Sequence, residues 1–378
     1  MTALEGGAPA RATIDLDAIA HNVARLKEYA GAAEVMAVVK GDAYGHGLVP
    51  AGRAALRGGA TWLGVAQLSE ALALRAAGIS APILSWLHAP GLDFTDAVRE
   101  GIDLGVPAIW ELEAVAAAAR TVGRPARVQL KVDTGLARNG AYGKDWPLLL
   151  EAAARLDAEE AVRVTGVFTH FAFADAPTHP TVLAQQERFA DAVRDCERAG
   201  LRLEVRHMSN SAATLTTPAA AWDMVRPGLA VYGLSPVPDL GDSAHFGLVP
   251  AMEVSANVTV AKRIPAGQGV SYAHTYVTDK ETTVIDIPCG YVDGVPRHAS
   301  NRGPVVVHGE RFTIAGRVCM DQFVVDVGEL PVQAGDRVVL FGADAPTAQD
   351  WAEAADTISY EIVARMSSRL PRVYKGQA

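Results

Sequence analysis

Eight short apolar runs, most of them separated by alanine-rich helical stretches, constrain this chain more than any other feature. They lie at 35–39, 62–66, 82–87, 103–108, 128–132, 164–168, 203–206 and 224–231. Runs of this length bounded by breakers read as buried strands. Between them, stretches such as 68–77, 111–120 and 185–199 have helical spacing, and 18–30 does so ahead of the first run, through Ile19, Val23 and Leu26. Strands alternating with helices point to a parallel sheet, and a count of eight favours a closed eightfold β/α barrel (TIM-like), an α/β fold, over an open doubly wound sheet. No GxGxxG follows the first run, which speaks against a dinucleotide-binding domain.

Near 236–247 prolines, glycines and aspartates cluster and the pattern changes. Beyond them come β-branched runs at 254–260, 283–287, 304–307, 312–318, 323–327 and 337–341, with one helical stretch at 347–355. The expectation is a barrel over residues 1–240 and a mostly β C-terminal domain over 241–378. A chain of 378 residues has room for both.

The formal net charge of −9 and a pI near 5.6 argue against nucleic acid as a partner. No apolar run approaches the length of a membrane span. Residues 1–11 are small and polar, without the apolar core of a signal peptide. The three cysteines, Cys196, Cys289 and Cys319, are far apart and suit neither a disulfide framework nor a zinc site. A soluble cytoplasmic protein without a metal site is expected.

In a β/α barrel the active site lies at the C-terminal ends of the strands. Lys40 ends the first run; Lys131, Asp133 and Arg138 end or follow the fifth. His170 follows the sixth, His207 and Ser209 the seventh, and Arg226 falls inside the eighth. Any one alone is an ordinary strand-end residue, but several at one barrel mouth point to a functional cluster. Lys40 is the most telling. Burying an unpaired ammonium is costly, and chemistry that needs a desolvated amine, Schiff-base formation above all, is a reason to accept the cost. Glycines, Tyr44 and His46 follow it at once.

Two stretches could hold an anion: 207–212, where Ser209, Asn210 and Ser211 are N-cap candidates, and Arg226-Pro227-Gly228-Leu229, with N–H groups beside a glycine. An ordinary cap and an ordinary turn read the same way. In the second domain Tyr272 is a candidate base that would need a nearby cation to favour its phenolate.

Taken in order, VVKGDAYGHG, LKVDTGLARNG, THFAFAD, HMSNSAAT, MVRPGLAVYGLSP, VSYAHTY, GYVDG, CMDQ and TISY span nearly the whole chain. The set resembles the alanine racemases, enzymes that use pyridoxal 5′-phosphate (PLP). The resemblance implies that Lys40 is the Schiff-base lysine and first base, and Tyr272 the second base on the opposite face of the substrate. It implies PLP contacts from Tyr44, His170, His207, Ser211, Arg226, Gly228, Leu229 and Tyr360. Arg226 would meet the pyridine nitrogen, with His207 behind it. Substrate contacts would come from Arg138, on the carboxylate, and from Tyr291, Met320 and Asp321. Lys131 stands where the family often carries a carbamylated lysine. The implied reaction interconverts L- and D-alanine, supplying D-alanine for cell-wall peptidoglycan. The implied assembly is a head-to-tail homodimer in which Tyr272 and Met320 enter the partner's site.

The sequence departs from the family's pattern at Ala137 and Asn139, which flank Arg138, at His274, and at Gly41-Asp42. Rival readings are a PLP amino-acid decarboxylase, a racemase of serine or broader range, and a PLP-binding protein without turnover. Arg226 opposes the first, since an acidic residue would be expected there. Pocket size near Tyr272, Tyr291 and Met320 would decide the second. The third leaves VSYAHTY and TISY unexplained.

Overall fold

The computed structural model describes residues 8–377; residues 1–7 of the opening segment, and Ala378, lie outside the described residues. The chain forms two compact units. One holds Ile19–Ala43 and Leu48–Leu248; the other holds the segment through Ala18, Tyr44–Gly47 and Val249–Gln377. Strand β1 (Ala10–Asp15) belongs to the second unit.

The first unit contains β2 (Glu34–Val38), β3 (Trp62–Val65), β4 (Ile83–Ser85), β5 (Asp103–Val106), β6 (Ala126–Lys131), β7 (Val162–Phe168), β8 (Val205–His207) and β9 (Met224–Val225). Each pairs in parallel with the next in sequence from β2 to β8, and β9 returns to pair with β2. Between β8 and β9 the ring is closed by single bonds: Asp223 N–H donates to the Arg206 carbonyl (3.1 Å) and Arg226 N–H to that of Ser209 (2.8 Å). Helices Leu68–Ala76, Ile109–Val122 and Pro180–Arg198 lie among the crossovers. This is the eightfold barrel that the rhythm of the sequence predicts.

Two details differ from the expectation. β9 stops at Val225, so Arg226 lies just beyond the strand rather than within it. Pro227 has no N–H to continue a ladder, and the apolar residues that follow form the 3₁₀ turn Leu229–Tyr232. Likewise β2 ends at Val38, and Lys40 opens the next turn.

Met36, Trp62, Leu84, Val205 and Met224 form a buried cluster inside the barrel, and Trp86 packs against it. Gly64 makes room for that indole: a Cβ there would lie 2.8 Å from both the Trp86 ring and Met36 Sδ. Any larger residue at position 64 would therefore displace Trp86 or Met36.

In the second unit a six-stranded sheet runs in the order β16 (Glu310–Thr313), β15 (Pro304–Val307), β18 (Arg337–Phe341), β10 (Met252–Asn257), β1, β19 (Arg372–Lys375). Strands β11 (Val260–Ile264), β14 (Thr282–Ile287) and β17 (Phe323–Gly328) form a second sheet, and β12 (Gly269–Val270) pairs with β13 (Tyr276–Val277). Helix Ala348–Ala354 starts at a capping box in which Thr347 and Asp350 satisfy each other's backbone N–H groups. β1 is absent from the sequence reading. It alternates Ala10, Ala12 and Ile14 toward the core, and two of these three are alanines, whose small apolar area gives little contrast. Among the described residues no helix is long and apolar enough to cross a membrane.

Candidate active site

The residues after β2 adopt an unusual backbone. From Gly41 through Asp42, Ala43 and Tyr44 to Gly45, φ runs from +53° to +80°, a left-handed turn five residues long. L-residues pay roughly 1–2 kcal/mol each in this region, so three non-glycine residues there mark a strained segment. Its anchors are specific. Gly41 N–H donates to Glu70 Oε1 (2.6 Å), Leu48 N–H to Asp42 Oδ1 (2.8 Å), and Ala43 N–H to the Val39 carbonyl (2.8 Å). Tyr232 Oη donates to the Val38 carbonyl (2.9 Å), holding the last turn of β2.

Lys40 sits at the head of this turn, its Nζ 5.9 Å from the centre of the Trp86 ring. Burial lowers its pKa; the charges of Arg138 and Arg226 lower it further, and Glu70 opposes them. The result is an amine that gives up its proton more readily than a solvent-exposed lysine. Lys131, at the end of β6, is buried and lies 5.5 Å from the Phe168 ring centre. Burial, then Arg226, Arg138 and Lys40, bring its pKa down to about 8. His170 is held neutral by burial and by the same four cations.

Arg226 is buried and tied down on several sides. Its Nη1 donates to His207 Nδ1 (2.9 Å), and its Nη2 to the Thr169 carbonyl (2.7 Å), with longer approaches to His170 Nδ1 and the Met208 carbonyl, both 3.4 Å. None of these bonds uses Nε. His207 is fully buried, stacked on Phe168 at 5.0 Å, and kept neutral by burial and by Arg226. Ser211 Oγ accepts from Gly228 N–H (2.7 Å) and Ala230 N–H (3.3 Å), and Asn210 caps the short helix Ser211–Thr216 through Ala213 N–H (3.0 Å). Leu229 opens the adjoining 3₁₀ turn.

Arg138 is exposed on a loop folded around Asp133, whose Oδ1 accepts from the N–H groups of Gly135, Leu136 and Ala137. Ala137 has φ +56°, a conformation that glycine adopts at less cost. The neighbouring Asn139 Oδ1 is buried without a partner.

The barrel unit thus brings together Lys40, Lys131, Arg138, His170, His207, Ser211, Arg226 and Gly228. In the second unit, Tyr44 and Tyr360 meet with ring centres 6.2 Å apart, and burial raises the Tyr44 pKa. Tyr272 (69% exposed) starts a 3₁₀ turn, and Met320 and Tyr291 are also exposed. Asp321 Oδ1 accepts from Arg369 Nη1 (2.6 Å). The unexpected His274 has φ +46° and its ring covers Gly269, where a Cβ would lie 2.2 Å from it. Cys319 Sγ lies 3.5 Å from Ser271 Oγ, beside Tyr272.

Sequence reasoning overlooked Trp86 and Phe168, the rings beside the two lysines, and the polar residues Asp103, Gln129 and Thr165 inside barrel strands. It also missed a buried set, Ser85, His88 and Glu111: His88 Nδ1 lies 2.5 Å from Glu111 Oε1, and its Nε2 2.9 Å from Ser85 Oγ. Burial raises the Glu111 pKa, and its Oε2 has no partner. For Ser85, Asp103, Gln129 and Thr165, a polar residue within an otherwise apolar strand was the available signal. Among the described residues, no group of three or more His, Cys, Asp or Glu could hold a metal ion.

The family described as "Alanine racemase, N-terminal domain" matches residues 14–236, and "Alanine racemase, C-terminal domain" matches 251–374. The chain belongs to the alanine racemase family. It is 56% identical to the alanine racemase of Frankia casuarinae, covering 99% of this chain and all of the relative. Among solved structures it is similar to the alanine racemase of D-cycloserine-producing Streptomyces lavendulae, with a TM-score of 0.98, 52% identity and 99% coverage of both chains. A more distant likeness is the alanine racemase of Bacillus anthracis with bound L-Ala-P: TM-score 0.88, 35% identity, covering 98% of this chain and 95% of that one. Members of this family are isomerases, and the fold and the two-part architecture of this chain are theirs.

Proposed function

We propose that this chain interconverts L- and D-alanine with PLP as cofactor, as a cytoplasmic homodimer supplying D-alanine for cell-wall peptidoglycan. The donor set supports the cofactor: a lysine amine with a lowered pKa, an arginine with an unused Nε–H, and a hydroxyl–N–H cradle at Ser211, Gly228 and Ala230. Lys40 would carry PLP. Ser211, in its cradle with Gly228, and the N–H group of Leu229 would hold its phosphate. His170 would lie against its ring.

Bound there, PLP supplies the electron sink that acidifies the substrate α-hydrogen. Racemisation then needs a proton-exchanging group on each face of the α-carbon. Lys40 serves one face, its lowered proton affinity making it readier than an exposed lysine to exchange a proton there. Tyr272 serves the other, delivered by the partner subunit; its exposure, together with that of Met320 and Tyr291, supports a role on a surface that meets a second copy. Arg138 binds the substrate carboxylate.

Arg226 carries the reading. A guanidinium gives a hydrogen bond to the pyridine nitrogen but does not surrender its proton. Arg226 would therefore leave the pyridine nitrogen without a proton, which favours return of the proton at the α-carbon. A decarboxylase that keeps the pyridine protonated would want a carboxylate at this position.

The test is incubation with L-alanine in D2O, following α-deuterium and the enantiomer formed. Deuterated D-alanine accumulating toward a one-to-one mixture supports the reading. Exchange without inversion would remove Tyr272 from its role, and no exchange in the PLP-loaded protein would overturn alanine as substrate.

A further inference from the structure

Behind Arg226 a line of buried polar groups crosses the barrel interior, and the reaction does not itself use it. It starts at Asp103, the first residue of β5 and 1% exposed. The Asp103 carboxylate accepts from Arg127 Nε (2.6 Å), Thr165 Oγ1 (2.9 Å) and Gln129 Nε2 (3.0 Å). Gln129, unexposed in β6, turns its Oε1 to His207 Nε2 (2.7 Å), and His207 Nδ1 meets Arg226 Nη1 (2.9 Å). Arg127 also pairs with Glu204 (2.9 Å).

The direction of every bond in this line follows from the carboxylate at its end. The Asp103 carboxylate forms an ion pair with Arg127, and in that pair it can only accept. Gln129 must therefore present its NH2 to Asp103, which leaves only its carbonyl for His207. A carbonyl only accepts, so the His207 proton sits on Nε2 and Nδ1 keeps a bare lone pair. That lone pair faces a guanidinium, which only donates. With the Gln129 amide reversed, two donors would face His207, and a neutral imidazole has one lone pair to offer.

We propose that Asp103 and Gln129 are positioning residues that lock His207 in the Nε2–H tautomer, and through it fix the Arg226 guanidinium in one orientation. The consequence for catalysis rests on the role given above to Arg226. The tautomer does not.

Four variants of the full-length PLP-loaded protein test this, one of them only to assign signals. ¹⁵N NMR of histidine-labelled protein, with His207→Gln to assign the signals, reads the tautomer directly. Wild type should show His207 protonated on Nε2 alone. In Asp103→Asn the new amide can donate or accept, Gln129 is free to reverse, and a second population protonated on Nδ1 should appear. Gln129→Met keeps the side-chain length but removes both bonds. In both variants kcat should fall about tenfold or more, the effect of losing one charge-assisted hydrogen bond. KM for alanine should hold, and pyruvate formed per turnover should rise. Thr165→Val strips a donor from Asp103 without touching the Gln129–His207 bond, so it should keep the wild-type tautomer and controls for loosening of the core. A wild-type His207 protonated on Nδ1 overturns the proposal, and so would Asp103→Asn and Gln129→Met indistinguishable from Thr165→Val. If the tautomer changes as stated while turnover and pyruvate do not, the lock stands and the role of Arg226 falls.

Discussion

Lys131 gives a prediction whose size can be worked from its surroundings. In the cofactor-free chain it is a buried ammonium among Arg226, Arg138 and Lys40, and its pKa falls from the ordinary 10.5 to about 8. At pH 7 the amine is protonated in both the folded and the unfolded chain, so folding bears the full cost, about 3 kcal/mol. Between pH 8 and 10.5 the folded chain binds fewer protons at this site than the unfolded chain does. Stability from this group therefore rises with pH across that window. At pH 9.5 the remaining cost is roughly 1.5 kcal/mol by the same relation. Lys131→Met keeps the length of the side chain and removes the charge. In CO2-free buffer, urea unfolding should show the variant gaining about 2 kcal/mol more over wild type at pH 7 than at pH 9.5. Loss or gain of packing is the same at both pH values and cancels in that comparison. A wild-type-to-variant difference independent of pH would refute the argument.

The same lowered pKa bears on modification. Near pH 8 a large share of Lys131 is free amine, which can attack CO2; the Nζ–C bond forms, one proton leaves to solvent, and the neutral amine becomes an anionic carbamate near Arg138. With ¹³C-bicarbonate a carbamate resonance should appear in wild type and be absent in Lys131→Met. The bicarbonate should also stabilise wild type alone.

Other consequences follow from the same geometry. Arg226→Glu should lose racemisation and gain transamination, measured as pyruvate per alanine consumed, because a carboxylate there would keep the pyridine protonated; unchanged side product would remove this account of Arg226. Lys40→Ala and Tyr272→Phe subunits, each inactive alone, should regain activity when combined in verified heterodimers, and no recovery would argue that each site is built within one chain. Gly45→Ala, with φ +80° and a Cβ 2.5 Å from the Val363 carbonyl oxygen, should lower the urea midpoint well beyond Gly41→Ala, which faces open space at φ +63° and costs about 1 kcal/mol. Equal losses would mean that the left-handed turn, and not the contact, sets the cost.

The barrel was legible because its information is local. Each buried parallel strand is a short apolar run, each crossover a helix, and eight repeats leave few other closures. Errors arose where hydropathy and backbone part company: the run 224–231 reads as one strand until Pro227 interrupts it, and β1 hides behind its alanines. The assignment of Tyr44–Gly47 to the second unit has no local signature at all. The candidate site divides in the same way. Lys40, Lys131, His170, His207 and Arg226 stand out because charge at the end of an apolar strand is anomalous. Asp103, Gln129 and Thr165 were passed over because a polar residue inside a strand looks like a weak strand until its partner is known. Asp103 and Gln129 are 26 positions apart, and Gln129 and His207 are 78.

The cations at the barrel mouth act on one another as much as on any ligand. Lys40, Lys131, Arg138 and Arg226 share one region with Asp133 and Glu70, and each lowers the proton affinity of its neighbours. The two kinds of cation respond differently. An arginine starts so high that it keeps its proton near neutral pH even when buried, whereas a lysine is brought within reach of losing its own. Crowding four cations together therefore sorts them, leaving two fixed positive charges and two amines that can be freed. Fixed charge suits a substrate carboxylate and a hydrogen bond to the pyridine nitrogen, and a freed amine suits carbonyl chemistry and proton exchange. Replacing Arg226 by lysine would blur that division, because the group behind the pyridine would then be one that can give its proton away.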